Sequence, residues 1–146
     1  MKKMRIVLII TLLMLLPLMS GCGSEDNDVV EILERFFVRQ MMDITQNLDN
    51  YTGRTIQLEG MFWSAHNHYT DESFYFVVRF LSGCCGGGGT VGFEVDLGYL
   101  LPLPDDTWVE VTGVLEVRDT WQPGNPVLVI TSIQELEVRG QEIVFL

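Results

Sequence analysis

After Gly53, five segments of the chain alternate apolar and polar residues or form short apolar runs. The segments are 56–63, 74–81, 91–97, 109–117 and 127–138. A repeat of two residues places successive side chains on opposite faces of an extended chain, so each segment is predicted to be a β-strand. The breaks between the segments are polar or rich in Pro and Gly, which is typical of turns.

Five strands between residues 53 and 138 favour a small closed barrel. Gly60 and Gly113 lie in mid-strand, where glycine permits the bend or bulge that lets a strand serve both sides of a barrel. The predicted fold is therefore mainly β, a five-stranded, mostly antiparallel barrel like that of oligonucleotide/oligosaccharide-binding (OB) domains. Residues 98–106 are too few for the helix that usually joins the third and fourth strands of such barrels. An open five-stranded sandwich is the alternative.

The apolar residues before Gly53 instead follow the spacing of a helix. The stripe consists of Val30, Leu33, Phe37, Met41, Ile44 and Leu48. One amphipathic N-terminal helix is predicted, with Asp28 and Glu31 at its N-terminal cap and its end within residues 50–53. So apolar a helix must pack on another element, most simply the sheet of its own domain.

The first 21 residues have the composition of a secretory leader. Three basic residues precede the apolar run 6–18, which is about half to two thirds as long as a bilayer span. The sequence Ser20-Gly21-Cys22 resembles a bacterial lipobox. That resemblance implies cleavage before Cys22, thioether lipidation of its thiol and acylation of the new amino group. An uncleaved anchor with a chance cysteine is the alternative.

These features divide the chain into a signal peptide (1–21), a lipidated tether (22–28) and a folded domain (29–146). Two or more acyl chains hold a protein stably in a bilayer without a membrane-spanning segment. The mature protein is therefore expected on the extracytoplasmic face of the cell membrane, or on the outer membrane if the cell has one. The lipid bilayer is its first expected partner, bound through acylated Cys22.

Charge and composition exclude several classes of function. Residues 22–146 carry six arginines, no lysine and twenty acidic residues, so their formal net charge is −14. A phosphate backbone repels such a domain, so no nucleic-acid partner is expected. No Ser/His/Asp set or distinctively spaced carboxylate pair is visible, so the protein is predicted not to be an enzyme. Residues 86–89 have no lysine or following helix to bind phosphate, and we predict a hairpin tip.

The pair Cys84-Cys85 permits three interpretations. In the first interpretation, both residues are small apolar side chains at the end of a strand. In the second, a turn brings the two thiolates onto one metal ion, zinc or copper. In the third, the pair performs redox chemistry, including a vicinal disulfide, in an oxidising compartment.

His66 and His68 precede two acidic residues in a predicted loop over residues 66–72. Imidazoles and carboxylates are ligand types that suit zinc or copper, and an extended stretch places both histidines on one side. A polar surface loop is the alternative interpretation. Combined with Cys84 and Cys85, the histidines would form a two-His, two-Cys set across the first hairpin.

The remaining candidate site residues are three aromatic residues and one arginine. Trp63, Tyr69 and Trp121 are candidates for an aromatic binding face of the kind that OB barrels use, with core and rim packing as the alternative. Arg79 lies in an otherwise apolar segment. It is predicted to form a buried ion pair, with Glu94 or Glu110 as the partner.

Four blocks of the chain resemble the C-terminal domain of the YcgQ-like membrane proteins. The blocks are 51–61, Arg79-Phe80 with Cys84-Cys85 and Val91-Gly92, 107–113, and Ile133. The resemblance implies an uncharacterised bacterial family whose members often accompany predicted permeases and have a suspected link to metal homeostasis. Its members usually have a multi-pass N-terminal region, where this chain has a lipid-anchor signal. Residues 86–89 also depart from the family pattern.

The leading hypothesis is a membrane-tethered, non-enzymatic binding module for a permease-type membrane partner or a small ligand. Capture or delivery of zinc or copper through Cys84 and Cys85, with His66 and His68, is the first alternative. A thiol redox protein is the second.

Overall fold

The computed structural model describes residues 29–83 and 88–145. The elements in chain order are β1 (Val30–Glu31), a 3-10 helix (Glu34–Phe36), α1 (Phe37–Gln46), α2 (Leu48–Tyr51), β2 (Thr55–Asn67), β3 (Glu72–Leu81), β4 (Gly89–Asp96), β5 (Trp108–Arg118), β6 (Asn125–Glu135) and β7 (Ile143–Val144). Strands β2 to β6 correspond to the five predicted strands, which are confirmed.

Strands β2 to β6 close into a barrel in the order β2-β5-β6-β4-β3, and β3 pairs again with β2. All of these pairs are antiparallel except β4 with β6. Closure depends on β2, whose residues 55–61 pair with β5 and whose residues 61–67 pair with β3. The prediction of a mainly β, closed five-stranded barrel is confirmed, and the strand order is compatible with the OB-like assignment.

The two mid-strand glycines lie where the barrel bends. Gly60 directly precedes the point at which β2 changes partner. The β5–β6 register shifts between Thr112 and Gly113, so the bulge expected at Gly113 is confirmed. A Cβ atom on Gly113 would lie 2.5 Å from the carbonyl oxygen of Val129, because the two strands approach closely there.

The N-terminal helix is shorter than predicted. Its start near Asp28 and Glu31 is wrong, because Glu31 belongs to β1 and α1 begins only at Phe37; Asp28 lies outside the described residues. Strand β1 pairs parallel with β2, and the N–H of Ile32 donates to the carbonyl oxygen of Gln57 at 2.8 Å. The edge of β2 thus supplies the backbone hydrogen bonds that these residues would otherwise have made within a helix.

The rest of the helix prediction agrees with the structure. Helical residues end at Tyr51, and Gly53 adopts the left-handed conformation (φ +83°) that favours glycine after a helix. The buried residues of α1 belong to the same apolar core as the barrel interior. They are Phe37, Val38, Met41 and Ile44. The helix therefore packs on its own sheet, as expected.

Two strand boundaries differ from prediction. Strand β2 continues to Asn67, so His66 lies in the strand and only residues 68–71 form the turn. Strand β6 ends at Glu135 and not at Val138, which is exposed. The chain then crosses to β3, where β7 adds a short parallel pairing to residues 80 and 81.

Arg79 fills the seam where β2 and β3 diverge. It directly follows Val78, the last β3 residue paired with β2, and it is 1% exposed. Its Nε–H donates to the carbonyl oxygen of Glu59 at 2.9 Å, and Nη1 donates to the carbonyl oxygen of Gln141 at 3.1 Å. The guanidinium thereby joins the C-terminal segment to the barrel.

The carboxylates that pair with Arg79 are not the predicted ones. Nη1 lies 3.3 Å from Glu34 Oε2, and Nη2 lies 4.0 Å from Glu59 Oε2. Glu94 cannot serve, because it pairs with Phe76, which is three positions from Arg79 and faces the other side of the sheet. Glu110 lies on β5, opposite Glu59. The prediction of Glu94 or Glu110 as partner is therefore wrong.

Aromatic rings and local charge complete the environment of Arg79. The guanidinium carbon lies 4.6 Å from the ring centre of Phe37 and 5.0 Å from that of Trp108. Burial lowers the pKa of Arg79, and the carboxylate of Glu34 opposes that shift. The hydrogen bond from the backbone N–H of Gln141 is the largest cause that holds the pKa of Glu34 below its ordinary value. The hydrogen bond and the positive charge of Arg79 add to this effect. Arg79 thus links the N-terminal segment, the C-terminal segment and β2.

Candidate functional site

Two of the three candidate aromatic residues line one cleft on the outside of the barrel. Trp63 and Trp121 border an open cleft of about 320 Å³ and are 43% and 55% exposed. Its other lining residues are Ala65, Phe76, Val78 and Thr90. Tyr69 is fully exposed and does not line the cleft. We call this feature the tryptophan cleft.

Strand register explains why these side chains meet. Trp63 on β2 lies directly opposite Phe76 on β3, and Phe76 lies opposite Glu94 on β4. Val77, next to Phe76, is fully buried in the barrel core, so Phe76 and Val78 face outward by alternation. Neither Phe76 nor Val78 was predicted as a site residue, because residues 74–81 are apolar on both faces of the strand and the sequence does not show which face is outward.

Trp121 reaches the cleft from the loop 119–124 between β5 and β6. The carboxylate of Glu94 accepts hydrogen bonds from the Thr120 hydroxyl at 2.7 Å and from the side-chain amide of Asn125. Glu94 is 9% exposed, so few water molecules can compete for these bonds. The buried carboxylate of Glu94 on β4 thus restrains both ends of the loop that carries Trp121. The sequence provided no signal for this role.

Replacing Glu94 with glutamine is expected to loosen this loop. Both hydrogen bonds reach one oxygen, Oε2, and the neutral amide oxygen of glutamine is a weaker acceptor than a carboxylate oxygen, so about 1–2 kcal/mol of unfolding free energy should be lost. Trp121 should then become more accessible to acrylamide, measured by fluorescence quenching in a Trp63→Phe background. Glu110→Gln, a matched change on β5, should leave the quenching unchanged. Equal quenching in both variants would show that Glu94 does not position Trp121.

The two candidate histidines come together at the tip of the β2–β3 hairpin. Their ring centres are 4.9 Å apart, and His66 Nε2 lies 3.4 Å from Asp71 Oδ1. The other ring nitrogen of His66 lies 3.2 Å from the Ser73 hydroxyl. Across residues 29–83 and 88–145, no group of three or more His, Cys, Asp or Glu side chains is arranged to hold a metal ion. The contact between His66 and His68 is therefore not a complete ligand set.

The candidate cysteines Cys22, Cys84 and Cys85 lie outside the described residues, and their roles stay predictions. Gly83 and Gly88, the described residues on either side of the pair, adjoin the end of β3 and the start of β4. His66 pairs with Ser73, near the start of β3, and a ten-residue strand is about 33 Å long. His66 and the described residues next to the cysteine pair therefore lie toward opposite ends of β3.

A family model for the DUF1980 C-terminal domain matches residues 22–145. The chain belongs to this family. No curated protein matches the chain. The DUF1980 match includes the barrel, the N-terminal segment that precedes it and the C-terminal segment that follows it. In the described part of this DUF1980 domain, no helix has the length and apolar character needed to cross a membrane.

The blocks on which the sequence resemblance rests have structural roles in this DUF1980 domain. Arg79 is enclosed between Phe37 and Trp108, and Gly92 and Gly113 lie where a side chain would meet a neighbouring strand. Neither tryptophan of the cleft belongs to these blocks. The blocks that carry the resemblance therefore lie in the barrel, and the two tryptophans of the cleft lie outside these blocks.

Proposed function

We propose that this protein is a membrane-tethered extracytoplasmic lipoprotein whose barrel is a non-enzymatic binding module for a permease-type membrane partner. The tryptophan cleft is the observation that carries this proposal. The lipobox-like residues before Cys22 support the tether, and the resemblance to permease-associated YcgQ-like proteins supports the class of partner.

The cleft has the properties of a preformed interaction site. Trp63 and Trp121 keep about half of their surface in contact with water, which leaves apolar area that a partner can bury. Tryptophan is among the residues that contribute most binding energy at protein interfaces. The Glu94 contacts already restrain the loop of Trp121, so binding loses less conformational entropy.

The size and charge of the domain indicate what the partner offers. A cleft of about 320 Å³ with a largely apolar lining suits one or two apolar or aromatic side chains. The net charge of −14 for residues 22–146 favours an extracytoplasmic segment that also carries basic residues. A lipid tether would hold the module at the surface where such a segment is exposed and raise its effective concentration.

Removing either tryptophan is expected to weaken capture of the partner. The lipidated protein would be used to recover multi-pass membrane proteins from solubilised membranes, with each recovered protein quantified by mass spectrometry. Trp63→Ala and Trp121→Ala should each reduce recovery of the partner about 30-fold, corresponding to about 2 kcal/mol at a dominant contact. Tyr69→Ala and Tyr99→Ala are matched controls, because both tyrosines are exposed and lie outside the cleft.

Two results would overturn this proposal. One is the repeated absence of any membrane protein from the captured material. The other is a partner that the two tryptophan variants and the two tyrosine variants recover equally well, since the cleft would then contribute nothing to binding.

A further inference from the structure

We propose that a second surface, formed by Arg35, Phe36, Arg39, Met42 and Phe145, rests on the phospholipid headgroups of the bilayer that anchors the protein. We call it the basal surface. This inference rests on the lipid anchor of the proposed function, but it concerns a different part of the domain from the tryptophan cleft.

The basal surface combines apolar side chains with a groove. Phe36, Met42 and Phe145 are 44%, 43% and 64% exposed, and with Arg35 and Arg39 they border a groove of about 680 Å³ between α1 and the C-terminal segment. Exposed apolar groups gathered at one place mark an interaction surface more often than scattered ones do. Aromatic and aliphatic side chains next to arginines are the combination found on helices that lie at a membrane interface.

The charges of the basal surface complement phosphate groups. Arg79, Arg118 and Arg139 are bound to carboxylates, whereas Arg35 and Arg39 form no ion pair within the described part of the chain. The guanidinium of Arg35 lies 4.8 Å from the ring centre of Phe36. In a domain with a large excess of negative charge, two available arginines on one surface favour an anionic partner there.

Two carboxylates also border this groove, and both have partners. Glu34 accepts hydrogen bonds from Arg79 and from the backbone N–H of Gln141. Asp43 accepts from the side-chain amide of Asn47 at 2.9 Å and from the hydroxyl of Tyr51. The charge of Arg79 offsets that of Glu34, whereas the partners of Asp43 are neutral, so the two arginines exceed the uncompensated carboxylates of the groove by one charge.

The position of the anchor brings the basal surface to the bilayer. Six residues separate Cys22 from Val29, so Val29 lies within about 25 Å of the anchored cysteine. Val30 lines a depression that also includes Phe36 and Arg39. Two residues of the basal surface thus lie beside the segment that the tether joins to the barrel.

The two tryptophans of the cleft lie outside the basal surface. Val30 pairs with Ile56, and Trp63 follows Ile56 by seven residues along β2, about 23 Å. Neither Trp63 nor Trp121 lines the groove that the basal surface borders, so contact of the basal surface with lipid does not use them.

The experiment uses the full chain, processed and lipidated in bacteria and reconstituted into vesicles of phosphatidylethanolamine and phosphatidylglycerol. Brominated phospholipids quench tryptophans that touch the bilayer. One variant, Phe36→Trp with Trp63→Phe and Trp121→Phe, reports on the basal surface. A second, Trp63→Phe alone, retains Trp121 as a reporter of the cleft; Trp108 is buried in both. We expect at least twofold stronger quenching in the first variant.

Charge variants test the arginines. Arg35→Gln with Arg39→Gln in the first variant should shift the docking equilibrium away from the bilayer, about fivefold for each arginine. The control variant, Thr70→Glu with Ser132→Glu, changes the net charge by the same amount as the two arginine substitutions. Its exposed positions lie outside the basal surface, so it should leave quenching unchanged.

The outcomes separate this inference from the proposed function. Equal quenching of both reporters in a protein whose Cys22 is acylated would overturn the basal surface alone. An unacylated Cys22, seen by mass spectrometry, would overturn the anchor and the basal surface together, while capture through the tryptophan cleft is tested separately. A dimer that shields the Phe36→Trp reporter without lipid would assign the surface to a second copy and overturn the proposal.

Discussion

Replacing Arg79 with methionine is expected to lower the free energy of unfolding by about 3 kcal/mol, at the low end of the range for breaking a buried ion pair. The substitution removes the donors that serve the carbonyl oxygens of Glu59 and Gln141 and leaves Glu34 without its cation. Both carboxylates that face Arg79 are about half exposed, so water can compensate for part of the lost charge. Urea denaturation followed by circular dichroism measures the difference.

Arg39→Met is the matched control for this prediction. Arg39 is exposed and makes no ion pair with the rest of the described chain, so the same substitution should change stability by less than about 0.5 kcal/mol. Arg79→Lys should recover only part of the loss, because an ammonium cannot reproduce the planar set of donors or the stacking between Phe37 and Trp108. Equal stability of the Arg79→Met and Arg39→Met variants would contradict a linking role for Arg79.

Replacing Gly92 with alanine is expected to cost about 2–3 kcal/mol of unfolding free energy. A Cβ atom at this position would lie 2.0 Å from the carbonyl oxygen of Val77 and 2.7 Å from the Cα atom of Val78. Both are backbone atoms of β3, so relief requires the β3–β4 pairing to move apart. Chemical denaturation measures this loss.

Gly89→Ala tests whether the effect of Gly92→Ala comes from close packing. Gly89 lies on the same strand, and a Cβ atom there would have no neighbour within 4 Å. The same substitution should therefore be neutral, or stabilise slightly by restricting the unfolded chain. A similar loss at both positions would mean that general strand flexibility, and not the contact with Val77, accounts for the change.

Local pattern was sufficient for most of the barrel. Each of β2 to β6 could be predicted because alternation, or a short apolar run between turn residues, indicates a strand from a few neighbouring residues. The same reasoning extended the helix too far, since Val30 and Leu33 share the spacing of the α1 residues although Val30 lies in β1. Val30 forms a strand because it pairs with Ile56 at the open edge of β2, 26 positions further along the chain.

The candidate site was predicted only in part. Trp63 and Trp121 could be selected as aromatic residues suited to a binding face, but Tyr69 was selected on the same grounds and lies outside the cleft. Membership in the cleft depends on the pairing of β2 with β3 and on the contacts of Glu94 with the β5–β6 loop. Neither can be deduced from the residues next to Trp121.

The amino-acid pattern was thus enough to establish a mainly β barrel with an N-terminal helix, because the burial of alternate residues is a local property of each strand. The partners of Arg79, the strand at Val30–Glu31 and the meeting of Trp63 with Trp121 followed only from the folded chain. Each joins residues that are distant in sequence, so it depends on strand order and register, which are set when all the strands pack together.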